Sequence, residues 1–186
     1  MRIISGNHKG KKILLPKDRK TRPLRDLVKE SIFNLIKHSN KFNIEIQNSN
    51  ILDLFSGCGS FGLECISRGA NNVVFIENYL EAINILKKNI FNLKEVKRSK
   101  IIEENCFDYF KNLNGFYEKF DLIFLDPPYK EKNINNLLEM TLHKKILKKN
   151  GIIIIHRHKK DVIEISQKLK ILDERLYGIS RIIIGN

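Results

Sequence analysis

The chain has no tryptophan, two methionines, four prolines and three cysteines, and its 21 acidic residues are outnumbered by 34 lysines and arginines among 186. Each scarcity excludes something. Cys58, Cys65 and Cys106 lack zinc-ligand spacing, and an odd count argues against a disulfide framework and for a reducing cytoplasm. The longest apolar runs, such as Ile152 to Ile155, fall far short of the ~20 residues that cross a bilayer. Met1 to Arg25 is strongly basic and has no apolar h-region, so no signal peptide is expected and the chain reads as soluble and intracellular. No G-x-S-x-G elbow or other nucleophile set is present.

What is abundant is positive charge and aliphatic bulk. A formal charge of +13 implies a polyanionic partner or a membrane surface, because such a field concentrates phosphate-bearing ligands. The 42% of hydrophobic residues suffices for a substantial core in one domain or one domain with an extension.

From Ile51 onward, short apolar runs alternate with helix-period segments. The runs are Ile51 to Phe55, Val73 to Ile76, Ile101 and Ile102, Leu122 to Leu125, and Ile152 to Ile155. Uninterrupted apolar strands predict a parallel sheet buried on both faces. Tyr79, Ile83, Leu86, Ile90 and Leu93 repeat at helical spacing as a crossover helix, and Asn133 to Lys148 predicts another, stopped by Gly151. The tail, Ile171 to Leu176 and Ile179 to Ile184 around Gly178, predicts an antiparallel hairpin. Upstream, Met1 to Pro16 alternates apolar and basic residues around Gly6 and Gly10 as a short hairpin would. Leu24 to Ile36 has helical spacing behind Pro23, and Asn40 to Ser49 is a polar connection into the sheet. No fixed-period repeat and no low-complexity tract appear.

Two strand ends carry chemistry. After the first strand, Gly57, Gly59 and Gly62 satisfy G-x-G-x-x-G while opening a helix, and Glu77 follows the second strand, placed to bind a ribose diol. Nicotinamide dinucleotides and S-adenosylmethionine both use that geometry. Asp53 separates them, since an acid repels a pyrophosphate but favours a cationic sulfonium bearing an ammonium group. Asn105 and Cys106, after the third strand, stand where an adenine edge is read. The second strand end is Asp126-Pro127-Pro128-Tyr129, directly after Leu122 to Leu125. Two prolines donate no backbone N–H and fix φ, so the Asp126 carboxylate and the Pro127 carbonyl form a pair of acceptors suited to a substrate –NH2 group.

Together with the glycine loop, that tetrapeptide resembles the [D/N/S]-P-P-[F/Y] motif of amino-group methyltransferases of the class I S-adenosylmethionine-dependent fold. Arg2 to Gly6, Gly10 to Lys12, Thr21-Arg22-Pro23, Asp53 to Gly57, Gly62-Leu63-Glu64, Ser67 to Ala70 and Tyr177-Gly178 look like the RsmD family of 16S ribosomal RNA guanine-N2 methyltransferases. The resemblance implies an α/β, Rossmann-like fold with a mostly parallel seven-stranded sheet, helices on both faces and a small N-terminal hairpin and helix. Residues 1–40 would be the basic RNA-binding extension and 41–186 the methyltransferase domain. It further implies S-adenosylmethionine as cofactor, with Glu77 on the ribose, Asn105 and Cys106 on the adenine, and the Gly57-Cys58-Gly59 loop on the methionine part; Asp53 and Phe55 are expected among the cofactor-binding residues. Asp126, Pro127, Pro128 and Tyr129 would form the catalytic loop, Tyr129 stacking on a flipped guanine. The implied partner is 16S ribosomal RNA in the small ribosomal subunit or its assembly intermediate. Arg2, Lys9, Lys11, Lys12, Arg22 and Arg25 are the expected RNA contacts, and a monomer is the default.

Where the family usually has a glutamate after the fifth strand, this chain has His156, then Arg157 and His158. The two histidines alternate on one strand face without an evident third ligand, so no metal site is expected. The same acceptors suit adenine N6 in DNA or RNA, and a glutamine side-chain methyltransferase or a catalytically silent RNA-binding assembly factor are further alternatives. The intact Asp126 motif and Glu77 speak against the last.

Overall fold

Uninterrupted apolar runs become strands here because both faces of the sheet are covered. In the computed structural model, which describes residues 1–18, 24–113, 118–161 and 165–186, seven strands form one sheet. They are β1 (Asn50–Leu54), β2 (Asn72–Ile76), β3 (Ser99–Ile102), β4 (Phe120–Leu125), β5 (Leu147–His158), β6 (Ile171–Tyr177) and β7 (Ser180–Gly185). Their order is β3-β2-β1-β4-β5-β7-β6. The first five are parallel, and β7 lies antiparallel between β5 and β6.

Odd and even side chains of each central strand enter different cores. Ile51, Val73, Phe75, Leu122, Phe124, Ile152 and Ile154 pack with α1 (Asp26–His38), α2 (Ser60–Ser67) and α3 (Leu80–Asn92). Leu52, Leu54, Val74, Ile76, Ile123, Leu125, Ile153 and Ile155 pack with α4 (Cys106–Asn112) and α5 (Ile134–His143). Each fully buried aliphatic or aromatic side chain contributes about 1.5–3 kcal/mol. Strand order reverses at β1, where β2 lies on one side and β4 on the other, so a crevice opens beyond their C-terminal ends. Ligands of open α/β sheets bind at such a reversal.

The N-terminal hairpin is minimal: an antiparallel bridge pairs Arg2 with Lys12, and Ile3 N–H donates to the Lys11 carbonyl at 2.9 Å. Ile3 and Ile13 are buried in the core that holds α1 and α2. A buried carboxylate, Glu64 of α2, fastens it by accepting from Ile4 N–H at 2.7 Å and Ser5 N–H at 2.9 Å. Glu64 is in turn paired with Arg68 at 2.9 Å and with fully buried Lys29 of α1 at 3.5 Å. At Gly6 (φ +81°) a Cβ would fall 1.9 Å from the Ser67 carbonyl oxygen, so the tip docks only as glycine.

Two expectations change. The helix expected over Asn133 to Lys148 ends at His143, because Lys145 takes a left-handed φ of 52° and β5 already begins at Leu147. Gly151 is therefore not a helix stop. It lies in β5 beside a register shift between Phe120 and Leu122, where a Cβ would meet the Asp121 carbonyl oxygen at 3.0 Å. Thr21, Arg22 and Pro23 lie outside the described residues.

Candidate active site

The register of the sheet assembles the site. Leu54 pairs with Leu125, and Leu125 with Ile155, so the residues that follow, Phe55, Asp126 and His156, emerge side by side at the reversal point. Glu77 follows β2 in the same row, Ile76 being paired with Leu54.

The glycine loop is a tight left-handed turn: Phe55, Gly57 and Gly59 have φ of 58°, 55° and 84°. For Phe55 that conformation is uncommon and strained, and strain of this kind concentrates at ligand sites. A Cβ on Gly59 would lie 2.4 Å from the Leu86 side chain, whereas one on Gly57 would meet nothing within 4 Å. Gly59 thus serves packing, and Gly57 borders open space where a ligand can approach the backbone. Asn89 of α3 braces the loop by donating to the Cys58 carbonyl at 3.0 Å.

Asp53 lies beneath this turn, almost wholly buried, and accepts Gly62 N–H at 3.0 Å near the start of α2. Burial pushes its carboxyl well above the usual range, against the Gly62 hydrogen bond, and the nearby charges of Asp126 and Glu77 push the same way. Glu77 accepts Gly57 N–H at 2.7 Å on one oxygen, and the N–H groups of Asn78 and Tyr79 at 2.9 Å on the other. It therefore ties the glycine loop to the start of α3, with acceptor capacity left on the Gly57 side for a hydroxyl.

Asn105 and Cys106 stand differently from each other. Asn105 is the N-cap of α4, its side-chain oxygen accepting Phe107 N–H at 2.8 Å. Cys106 is buried next to the Phe55 backbone, and burial pushes its thiol up to about 12, so it packs as a neutral group. Cys58 and Cys65 are buried too, with Cys58 raised to about 11.

Across the crevice, Asp126 Oδ1 lies 2.7 Å from His156 Nδ1, and His156 Nε2 lies 2.9 Å from Ser180 Oγ. From the opposite face of β5, the buried Arg157 guanidinium donates to the carbonyls of Pro127 (3.3 Å), Pro128 (3.0 Å), Tyr129 (3.2 Å) and Glu131 (3.2 Å). It also pairs with Asp161 at 2.9 Å. Sequence reasoning credited the prolines alone with stiffening this loop. The clamp was missed because nothing local marks Arg157; only the β4–β5 register brings it under the tetrapeptide. The Tyr129 ring meets His158 edge-on, centroids 5.4 Å apart.

The structure does not bring the expected RNA residues together with these. The hairpin tip is fixed at the far end of α2 from the glycine loop, Asn7 N–H donating to the Ser67 carbonyl at 2.8 Å and His8 pairing with Glu95 at 2.5 Å. Lys9, Lys11 and Lys12 are exposed near that tip, exposed Arg2 is bridged to Lys12, and exposed Arg25 precedes α1. Arg22 lies outside the described residues.

The residues present fit an S-adenosylmethionine-type ligand. Three carboxyl groups, Asp53, Glu77 and Asp126, gather at neighbouring strand ends, the last two adding to the burial that raises the Asp53 carboxyl, an arrangement suited to a cation. Open space lies over Gly57, and the buried Ser56 hydroxyl has no hydrogen-bond partner. Among the described residues no cluster of metal-binding side chains occurs, and no helix is long and apolar enough to cross a membrane.

Comparison with known proteins places the chain among methyltransferases. Ribosomal RNA small subunit methyltransferase D of Haemophilus influenzae is 31% identical over 180 residues, covering 96% of this chain and 90% of that protein. The crystal structure of the methylase HI0767 from the same organism superposes with a TM-score of 0.77 at 30% identity, covering 99% of this chain and 96% of that one. At the level of fold alone, the methyltransferase SMU.776, solved with SAH, gives a TM-score of 0.67 at 19% identity, covering 85% of this chain and 49% of the other. A family model described as "Conserved hypothetical protein 95" matches residues 1–186, and the chain belongs to that family, the RsmD family of methyltransferases.

Proposed function

We propose that the protein transfers a methyl group from S-adenosylmethionine to the exocyclic N2 amine of a guanine in 16S ribosomal RNA, presented in the small subunit or its assembly intermediate. One observation carries this: the Asp126 carboxylate and the Pro127 carbonyl are both held by partners from β5, beside the open face of the glycine loop. The similarity to proteins named for small-subunit ribosomal RNA supports the choice of nucleic acid.

The exocyclic amine is a poor nucleophile because its lone pair is delocalised into the ring, so positioning is the main task of the protein. Bound S-adenosylmethionine supplies the activated methyl group. Asp126 and the Pro127 carbonyl would accept the two amine N–H bonds, each at ~2.6–3.2 Å, turning the lone pair out of conjugation. Arg157 occupies one acceptor direction of that carbonyl, and a carbonyl oxygen has two. As positive charge develops on nitrogen, the Asp126 carboxylate stabilises it. Tyr129 would stack on the base, a contact worth ~1–3 kcal/mol. Glu77 would hold the ribose, the Asn105 amide the adenine edge, and Asp53 would act electrostatically from beneath the loop.

The test is transfer of labelled methyl to small subunits, naked ribosomal RNA and duplex DNA from a strain lacking the enzyme, followed by nucleoside analysis. N2-methylguanosine on the subunit is expected; N6-methyladenine would overturn the base assignment. Asp126→Ala should lower turnover by about 100- to 1,000-fold while cofactor affinity, read by calorimetry, stays near wild type. Retained turnover would remove Asp126 from the catalytic role.

A further inference from the structure

We propose that His156 is a positioning residue for Asp126: it commits one carboxylate oxygen inward and so presents the other to the target amine. This rests on the function proposed above.

The chain Asp126–His156–Ser180 joins the residue that follows β4 to positions on β5 and β7 that the sequence separates widely. Ile155 pairs with Leu125, placing His156 beside Asp126, and His158 pairs with Ser180 on the neighbouring strand β7. His156 is buried, its side chain 8% exposed, while that of Asp126 is 19% exposed. The pair is therefore inward at the histidine and open at the acid. An ionised carboxylate only accepts, so the proton of a neutral imidazole sits on Nδ1, and Nε2 accepts from the Ser180 hydroxyl. Both ring nitrogens are then used, which fixes the ring plane and with it the plane of the Asp126 carboxylate.

A buried histidine is more often a satisfied core residue than a part of a site. Here one of its two partners is the acid at the strand-order reversal, and the distance of 2.7 Å is short enough to hold it. Metal binding is the other reading of His156 and His158, and no third ligand joins them among the described residues. Arg157, between the two histidines, faces the opposite side of the strand and holds the loop backbone. Backbone and carboxylate are thus fixed separately, by successive residues of one strand.

In the reaction, Asp126's outward oxygen takes the proton that the amine nitrogen loses as it bonds the methyl carbon and the carbon–sulfur electron pair returns to sulfur. Asp126 becomes a carboxylic acid and afterwards passes that proton to water. His156 keeps its Nδ1 proton throughout, so its contribution is orientation.

The test compares His156→Ala, His156→Asn and Ser180→Ala for kcat and KM on small subunits from the strain lacking the enzyme, with cofactor affinity by calorimetry. The Asn amide nitrogen stands where imidazole Nδ1 stood, so this variant keeps the donor to Asp126 and drops Ser180. His156→Ala should lower kcat up to about 100-fold, the scale of a small misplacement of a reacting group, with KM and cofactor affinity close to wild type. His156→Asn should recover most of that loss. In the wild type, ¹⁵N NMR should show the Nδ1–H tautomer at His156, and Asp126→Ala should abolish that preference. Wild-type kcat in His156→Ala, or equal impairment of the Ala and Asn variants, would overturn the positioning role. If the wild type methylates none of the three nucleic acids, the proposed function fails and this role with it; an active wild type beside an equally active His156→Ala sinks the positioning role alone.

Discussion

Asp53 shows how a single residue at a candidate site can weaken a fold. Its carboxyl is held well above 3.8, chiefly by burial. The folded state therefore binds more protons than the unfolded chain in the window above 3.8, and stability contributed by Asp53 is lost as pH rises through the folded value. Asp53→Asn keeps an oxygen to accept Gly62 N–H and removes the ionisable group. It should raise the urea midpoint at neutral pH and leave it nearly unchanged near the unfolded pKa; a uniform effect across pH would refute the burial argument. The same change should weaken binding of a cationic cofactor about 10-fold, or 1.4 kcal/mol. Arg157 is the opposite case, a buried cation whose terminal guanidinium nitrogens serve carbonyls of the Asp126–Tyr129 loop, Glu131 and Asp161. Arg157→Met leaves those acceptors unpaired and should cost about 3–5 kcal/mol of unfolding free energy, read by urea denaturation. Arg157→Lys should recover only part, because a point charge cannot replace a planar fork of donors.

At the scale of elements, what was legible in the sequence was whatever burial on two faces dictates. The runs at Ile51, Val73, Leu122 and Ile152 read directly as central strands because both core faces demand apolar side chains. Polar residues hid the early part of β5: Lys148, Lys149 and Asn150 read as a helix end, yet Lys148 pairs with Asp121 at 2.7 Å beside the register shift. Glu77 and the glycine loop were readable because they lie within one β–α–β unit. The His156 and Arg157 contacts were not, since they exist only once β4 and β5 pair. The hairpin read as an appendage, but Glu64 and Lys29 bolt it to two helices, with the Lys29 ammonium donating to the Arg2 carbonyl at 3.0 Å. Glu64→Ala would leave the buried Lys29 ammonium with the more distant Asp26 carboxylate, 3.9 Å away, as its acid partner and would release Ile4 and Ser5, at a cost of about 3 kcal/mol or more. Limited trypsin digestion should then cut the variant near Lys9 to Lys12 much faster than wild type. Equal cleavage rates would mean that Ile3 and Ile13 alone hold the hairpin.

Across the whole molecule, the net charge of +13 has to be reconciled with a candidate site that gathers carboxylates. The structure separates the two. Lys9, Lys11 and Lys12 project near a hairpin tip that rests on the C-terminal end of α2, about 12 Å of helix from the glycine loop. Under the proposed function, cationic cofactor and anionic RNA would be attracted by different regions, with backbone contacts holding the RNA while the Asp126–Tyr129 loop receives one base. Such a division makes the basic hairpin a term in affinity rather than in turnover. Replacing Lys9, Lys11 and Lys12 together by Gln should weaken RNA binding and flatten the dependence of log K on log salt, by about 0.7–0.9 for each phosphate that is no longer neutralised. With saturating subunits kcat should stay near the wild-type value, because none of the three lysines touches Asp126, the Arg157 clamp or the glycine loop. Fluorescence anisotropy over a salt series measures the slope, and single-turnover transfer at saturation measures the rate. An unchanged slope would exclude the hairpin from the RNA footprint, whereas a flattened slope accompanied by a fall in saturated turnover would mean that the hairpin also orients the target base across the length of α2.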